Sequence, residues 1–163
     1  LTEVEDTTAV DINTHQEEEI RVCLFSIGED IYALPVDLLT EIIITQKIFP
    51  VPTTPSHILG IINLRGNIVP IVDIRSILSV SQQSPTTGQI AVVRHGTIVL
   101  GIVVDNVYEV ISVPESSLLT VPTDYATQSG KNRSRFFRGI IQREDCLAAL
   151  LNMDRIYEEI KLT

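Results

Sequence analysis

Patterns that carry chemistry are what this sequence has least of. His15, His57 and His95 stand apart, and neither a His-Glu-x-x-His nor a Cys-x-x-Cys spacing exists to hold a metal. A phosphate-cradling loop ending in Gly-Lys-Ser/Thr is missing, since Ser129-Gly130-Lys131 has no upstream glycine. No Gly-x-Ser-x-Gly nucleophile turn occurs either. These gaps argue against an enzyme. The longest apolar run, Ile98 to Val104, has seven residues, whereas a membrane-spanning helix needs about 20. The first residues lack the basic start and apolar stretch of a signal peptide. Cysteine is scarce: Cys23 and Cys146 are the only two, far apart and each set among apolar residues. Both are expected to be buried, reduced thiols of a cytoplasmic protein.

Positive charge is absent from the first nineteen residues. Leu1 to Glu19 holds seven acids and no Lys or Arg, hence −7 of the formal −9, and the remaining body is close to balanced at −2. So acidic and apolar-poor a stretch cannot bury enough surface to offset its ordering entropy. Residues 1–19 are therefore expected to be a disordered acidic leader, a solubilising tail or one that repels wrong partners. Residues 20–163 form a single domain. That length is ample for one core, and a chain that is 44% hydrophobic and 20% charged is not disordered throughout.

The body is a series of short β-rich runs broken by Gly, Pro, Asn and Ser. Strands are expected at Val22–Ile27, Ile31–Val36, Leu38–Thr45, Ile58–Leu64 and Asn67–Val72, the last two joined as a hairpin around Arg65-Gly66. Pro50, Pro52 and Pro55 deny ladder donors and mark an extended connector or sheet edge. After a helical turn near Asp73–Leu78 and a flexible loop at Ser79–Gly88, further strands are expected at Gln89–Arg94, Thr97–Val104, Val107–Val113, Phe136–Gln142 and Cys146–Leu151. Pro114 to Arg135 reads as loop, and Asp154–Lys161 as a helix with Ile156 and Ile160 one turn apart. Many short strands and few aromatics indicate a mainly all-β protein. The Ser79–Gly88 loop divides the strands into two halves, which suggests two small barrels packed together.

The most informative stretch is Gly60-Ile61-Ile62-Asn63-Leu64-Arg65-Gly66-Asn67-Ile68-Val69-Pro70-Ile71-Val72-Asp73-Ile74-Arg75, sixteen consecutive positions. It resembles the signature of the CheW-like chemotaxis coupling family: a glycine, then Asn-Leu-Arg-Gly, then a Pro-containing strand ending in Asp-aliphatic-Arg. Gly101 to Val107, with Asp105, is similar to the family's second-half strand and turn. Gly139-Ile140-Ile141 through Asp154 is similar to its closing hairpin and helix. One departure is local, since Asn152-Met153 stand where members place an acid. The resemblance covers Ile20 to Tyr157. It implies two interlocked five-stranded SH3-like β-barrels with a short C-terminal helix and a hydrophobic groove between them. It also implies a non-catalytic adaptor that couples methyl-accepting chemoreceptors to a CheA-type histidine kinase, without cofactor.

The residues themselves agree with display. Gly66 supplies the positive φ of a tight turn, and Asn63 can bond the turn backbone. The glycines, Pro70, Asp73 and Asp105 read as fold-makers. Arg65 is different, because a turn does not require an arginine. The family places a glutamate beside the motif arginine, with an aliphatic residue nearby, on the receptor-facing surface, so the resemblance assigns receptor binding to Leu39, Glu41 and Arg65. An exposed pair of this kind adds only about 0–1 kcal/mol to stability, so orienting the arginine for a partner is the better reason for it. The expected partners are the kinase's regulatory domain and the receptor's cytoplasmic tip. The chain is expected to be cytoplasmic, recruited to receptor arrays without entering the membrane, and monomeric when free. The equivalent adaptor of a type IV pilus, twitching or phototaxis pathway is the alternative. A remoter one is a nucleic-acid-binding barrel, because Lys131, Arg133, Arg135, Arg138 and Arg143 are interleaved with Phe136 and Phe137. Contact of that basic stretch with the acidic leader or an acidic partner is also open.

Overall fold

Runs such as Val22–Ile27 are apolar without clean alternation, which is the mark of strands covered on both faces. The computed structural model, which describes residues 18–78, 88–122 and 134–161, has ten strands that behave in this way. They are β1 (Glu19–Ile27), β2 (Asp30–Pro35), β3 (Leu39–Ile44), β4 (Ile58–Leu64), β5 (Asn67–Val72), β6 (Gln89–His95), β7 (Ile98–Val104), β8 (Asn106–Pro114), β9 (Phe137–Arg143) and β10 (Cys146–Leu151). A single turn of helix, α1 (Arg75–Leu78), follows β5, and α2 (Met153–Lys161) follows β10. The expected leader up to residue 17, the Ser79–Gly88 loop up to residue 87 and the centre of the Pro114–Arg135 loop lie outside the described residues.

The strands form two five-stranded sheets, ordered β8-β1-β2-β10-β9 and β3-β6-β7-β5-β4. Each closes on itself by one device. In the second sheet Phe49, downstream of β3, exchanges both backbone hydrogen bonds with Ile61 of β4, each at 2.9 Å. In the first, Leu119, downstream of β8, does the same with Ile140 of β9 at 2.8 and 2.9 Å. Closure removes the open edges and makes two small SH3-like barrels. A glycine precedes each bridging isoleucine. A Cβ on Gly60, whose φ is +150°, would run into the Phe49 carbonyl and lie 2.8 Å from Ile48 Cγ2. One on Gly139 would lie 3.1 Å from Leu118 Cβ.

The barrels do not divide at the Ser79–Gly88 loop, as the run of strands suggested. Barrel two consists of β3–β7 and is inserted whole between β2 and β8 of barrel one. Alternation reports which residues are covered and not by what, so the exchange was invisible to it. The same strand plan occurs twice, with β3, β4, β5, β6 and β7 standing in barrel two where β8, β9, β10, β1 and β2 stand in barrel one. Even the two parallel pairings, β5 with β7 and β10 with β2, correspond.

Three cores result. Val22, Leu24, Ala33, Ile141, Ala148 and Leu150 fill barrel one, and Ile62, Val69, Ile71, Ile90, Val92 and Val103 fill barrel two. The largest core lies between them, contributed by the opposite faces of the same strands (Phe25, Ile27, Val93, Leu100) together with Met153, Ile156 and Tyr157 of α2. Leu38, Leu39, Val107 and Ile160 form its half-buried rim. One cysteine reverses expectation: Cys23 is buried, but Cys146 is exposed, and both are free thiols. Cys146 opens β10 opposite Arg143, at the mouth of a hairpin rather than in the barrel.

Tyr157 offers a direct test of this packing. Its ring lies under His95 at 4.5 Å, while its buried hydroxyl finds no hydrogen-bond partner and burial pushes its pKa up to about 12. An unsatisfied buried hydroxyl costs about 1–3 kcal/mol. Tyr157→Phe, which keeps the ring, is expected to raise the urea midpoint, with a gain of about 1 kcal/mol. A loss of stability would show that the hydroxyl is bonded.

Candidate functional site

The tip of the β4–β5 hairpin is where sequence and strain meet. Leu64 pairs with Asn67, which leaves Arg65-Gly66 as a two-residue loop with φ of +51° and +88°. Two positive φ values define a type I′ turn, whose second position suits glycine and whose first usually takes Asn, Asp or Gly. An arginine held there stores about 1–2 kcal/mol of backbone strain. Asn63 steadies the turn, its Oδ1 accepting the Gly66 N–H at 2.8 Å. The outcome is a guanidinium that is 67% exposed at the end of a rigid hairpin.

Glu41 reaches Arg65 from the other side of the barrel-two seam. It lies on β3 just past a bulge between Leu39 and Glu41, and its carboxylate forms an ion pair with Arg65 Nη2. Gln46 Nε2 donates to the Asn63 carbonyl at 3.4 Å along the same seam. Glu41 is the more sheltered partner at 29% exposure, so the pair offers its positive member outward. Leu39 lies two residues before Glu41, but it is half-buried and packs on the between-barrel core. The expected groove is therefore filled at its centre, and Leu39 belongs to its rim.

The other motif residues act within the fold. Arg75 is 4% exposed. Its Nε and Nη2 donate to the two oxygens of Asp73, both at 3.0 Å, and its backbone N–H donates to Asp73 Oδ1 at 3.0 Å. The hydrogen bond to Asp73 pushes the Arg75 pKa up, against the opposing effect of burial. Asp105 Oδ2 accepts the Gly28 N–H at 2.6 Å, and its own N–H donates to the Ser26 carbonyl at 2.9 Å, tying β7 to the β1–β2 turn. A Cβ on Gly101 would stand 2.6 Å from Ile90 Cγ2 and 2.7 Å from Ile71 Cδ1, so the barrel-two core needs a hydrogen there. Pro70 pairs with Ile61 in β5. Where an acid was expected before α2, Asn152 Oδ1 accepts the Arg155 N–H at 3.3 Å and caps the helix equally well.

The basic stretch is neutralised where it is described. Arg135 pairs with Glu159, Arg138 with Glu115 at 3.7 Å and Arg143 with Glu109 at 3.0 Å. Phe136 and Phe137 are buried in the between-barrel core, so neither ring is free to stack on a base. This removes the basis of the nucleic-acid reading among the described residues, which include neither Lys131 nor Arg133. Among those same residues no cluster of three His, Cys, Asp or Glu side chains could hold a metal ion, and no helix is long and apolar enough to cross a membrane.

His57 gives the fold a pH dependence. It is 6% exposed, and burial lowers its pKa from the usual 6.5, with the nearby Glu159 charge opposing. The unfolded chain therefore takes up this proton first, so the contribution of His57 to stability is present above pH 6.5 and is lost as pH falls below it. Denaturation at pH 7.5 and 5.5 is expected to show wild type losing more stability on acidification than His57→Gln. Equal losses would rule His57 out as the source.

Comparison with known proteins came out as follows. The family model for the CheW-like domain matches residues 21–161. A chemotaxis protein CheW of Thermotoga maritima is 32% identical over 143 residues, covering 88% of this chain and 91% of that protein. One of Helicobacter pylori is 31% identical over 145 residues, covering 88% and 84%. The crystal structure of the scaffolding protein TtCheW from Thermoanaerobacter tengcongensis superposes with a TM-score of 0.72 at 27% identity, covering 85% of this chain and 88% of that one.

Proposed function

The chain belongs to the CheW-like domain family, and from that premise we propose that it is a non-catalytic, cytoplasmic adaptor of chemotaxis signalling that couples chemoreceptors to a CheA-type histidine kinase. One barrel docks on the related barrels of the kinase's regulatory domain. The Arg65 tip, with Glu41 behind it and Leu39 at the rim of the between-barrel core, receives the helical hairpin of a receptor's cytoplasmic tip. The observation that carries this reading is the arginine itself. It occupies a strained turn position, and its ion pair is too exposed to stabilise the fold by more than about 1 kcal/mol. A side chain kept at a cost to the fold, exposed and oriented, is best explained by a partner. Signalling then follows from coupling, since each partner biases the geometry offered to the other by about 1–3 kcal/mol.

The test is reconstitution. The full chain, mixed with a CheA-type kinase and a receptor cytoplasmic fragment, should bring both down together, and neither partner should capture the other as strongly without it. A chain that binds neither would overturn the reading.

A further inference from the structure

The two barrels share more than a strand plan. Val36-Asp37-Leu38-Leu39-Thr40-Glu41-Ile42-Ile43 recurs as Val104-Asp105-Asn106-Val107-Tyr108-Glu109-Val110-Ile111, with valine, aspartate, glutamate and isoleucine at the same four places. Gly60-Ile61-Ile62-Asn63 likewise recurs as Gly139-Ile140-Ile141-Gln142. Topology makes these the same positions, because β3 and β8 correspond, as do β4 and β9. Leu39 and Val107 both sit half-buried on the rim of the between-barrel core. Two residues on, Glu41 and Glu109 each form an ion pair across their barrel's seam with an arginine near the facing hairpin turn, Arg65 and Arg143. Those turns correspond too: Arg65-Gly66 in barrel two and Glu144-Asp145 in barrel one, with Glu144 again at positive φ, +21°.

We propose that barrel one carries a second helix-docking site, centred on Val107, Glu109 and Arg143, which takes a helical hairpin of the receptor type by its cationic side chains. This rests on the reading that Leu39, Glu41 and Arg65 dock a receptor helix. The charge is inverted between the two. In barrel two the arginine is the outer partner, 67% exposed against 29% for Glu41. In barrel one the carboxylate is, with Glu109 at 54% and Arg143 at 35%. The acidic pair Glu144-Asp145 replaces Arg65-Gly66 at the turn and adds to that sign. The first site offers a donor and the second an acceptor, so the second selects Lys or Arg on its helix. Apolar surface for such a helix is present, since Tyr108 and Val110 on β8 are exposed, as is Leu147 beyond the turn. Their counterparts Thr40 and Ile42 leave barrel two less apolar surface beside its pair. The adaptor is then bivalent and can bridge two receptor tips.

Stoichiometry decides the matter. The full chain is titrated with a monomeric, single-hairpin receptor cytoplasmic fragment by calorimetry and native mass spectrometry. Two fragments per chain are expected. Arg65→Glu should remove one of them, and Glu109→Arg should remove the other, weakening that site at least 10-fold. Tyr108→Ser changes an exposed side chain that holds no seam, and it should weaken the same site if Glu109→Arg proves unstable. One fragment per chain, lost with Arg65→Glu and indifferent to Glu109→Arg and Tyr108→Ser, overturns the second site and leaves the first standing. No binding at all overturns both.

Discussion

Arg65→Glu lowers the affinity for a receptor cytoplasmic fragment by at least about 100-fold and leaves the folded protein intact. Truncating a buried interfacial arginine typically costs about 2–4 kcal/mol, and reversal adds repulsion from Glu41. The fold has little to lose, because Arg65 is exposed and its pair is worth about 0–1 kcal/mol in isolation. The companion variant makes the test sharper. Arg65→Asn places a residue that tolerates positive φ in the first position of the type I′ turn, so stability should rise by about 0.5–1 kcal/mol while binding falls. Opposite signs for stability and binding at one position are hard to obtain unless the native side chain is kept for a partner. Binding by surface plasmon resonance and melting by circular dichroism measure the two. Unchanged affinity in both variants would remove Arg65 from the receptor face.

The second large effect concerns stability alone. Asp73→Ala is expected to cost about 3–5 kcal/mol, because it strips the Arg75 guanidinium, which is 4% exposed, of both its carboxylate bonds. A domain of this size has about 5–15 kcal/mol in total, so much of the population could unfold near body temperature. Replacing both partners, Asp73→Leu with Arg75→Leu, should recover most of that loss, since no uncompensated charge then remains buried. Urea denaturation of the two variants gives the comparison. If the double variant is as unstable as the single one, the pair is worth more than its absence costs, contrary to this account.

These two arginines show how much was readable beforehand. The exposure of Arg65 follows from turn chemistry, because a two-residue hairpin loop has nowhere to hide a side chain. The burial of Arg75 does not follow, because nothing in Asp73-Ile74-Arg75 says that the pair faces inward. Strand positions were legible from apolar runs and their turn residues, usually to within one or two positions. Strand partners were not, since both faces of β1, β2, β6 and β7 are covered and a covered residue carries no mark of what covers it. Cys146 misled for a related reason, as its apolar neighbours Ala148 and Leu150 are buried while it stands at the hairpin mouth. One signal was available and would have helped: the Val-Asp-x-x-x-Glu-x-Ile pattern at Val36–Ile43 and again at Val104–Ile111 equates β3 with β8. With that equivalence, the pairing of β1 and β2 with later strands becomes a natural expectation. Leu39 was the hardest to place, because a leucine on the rim of a core and one in an open furrow read alike in sequence.

The insertion of one barrel inside the other also has a consequence for biosynthesis. β1 and β2 leave the ribosome first, yet β8, β9 and β10, which complete their barrel, are made last. At about 5–20 residues per second, the oily hairpin of Val22–Ile27 and Tyr32–Leu34 waits several seconds for its cover. During that interval the nascent chain offers sticky strands to its neighbours, and such late-closing topologies fold slowly. Holding factors at the exit tunnel therefore have a natural client here, and the inner barrel is the first part able to finish.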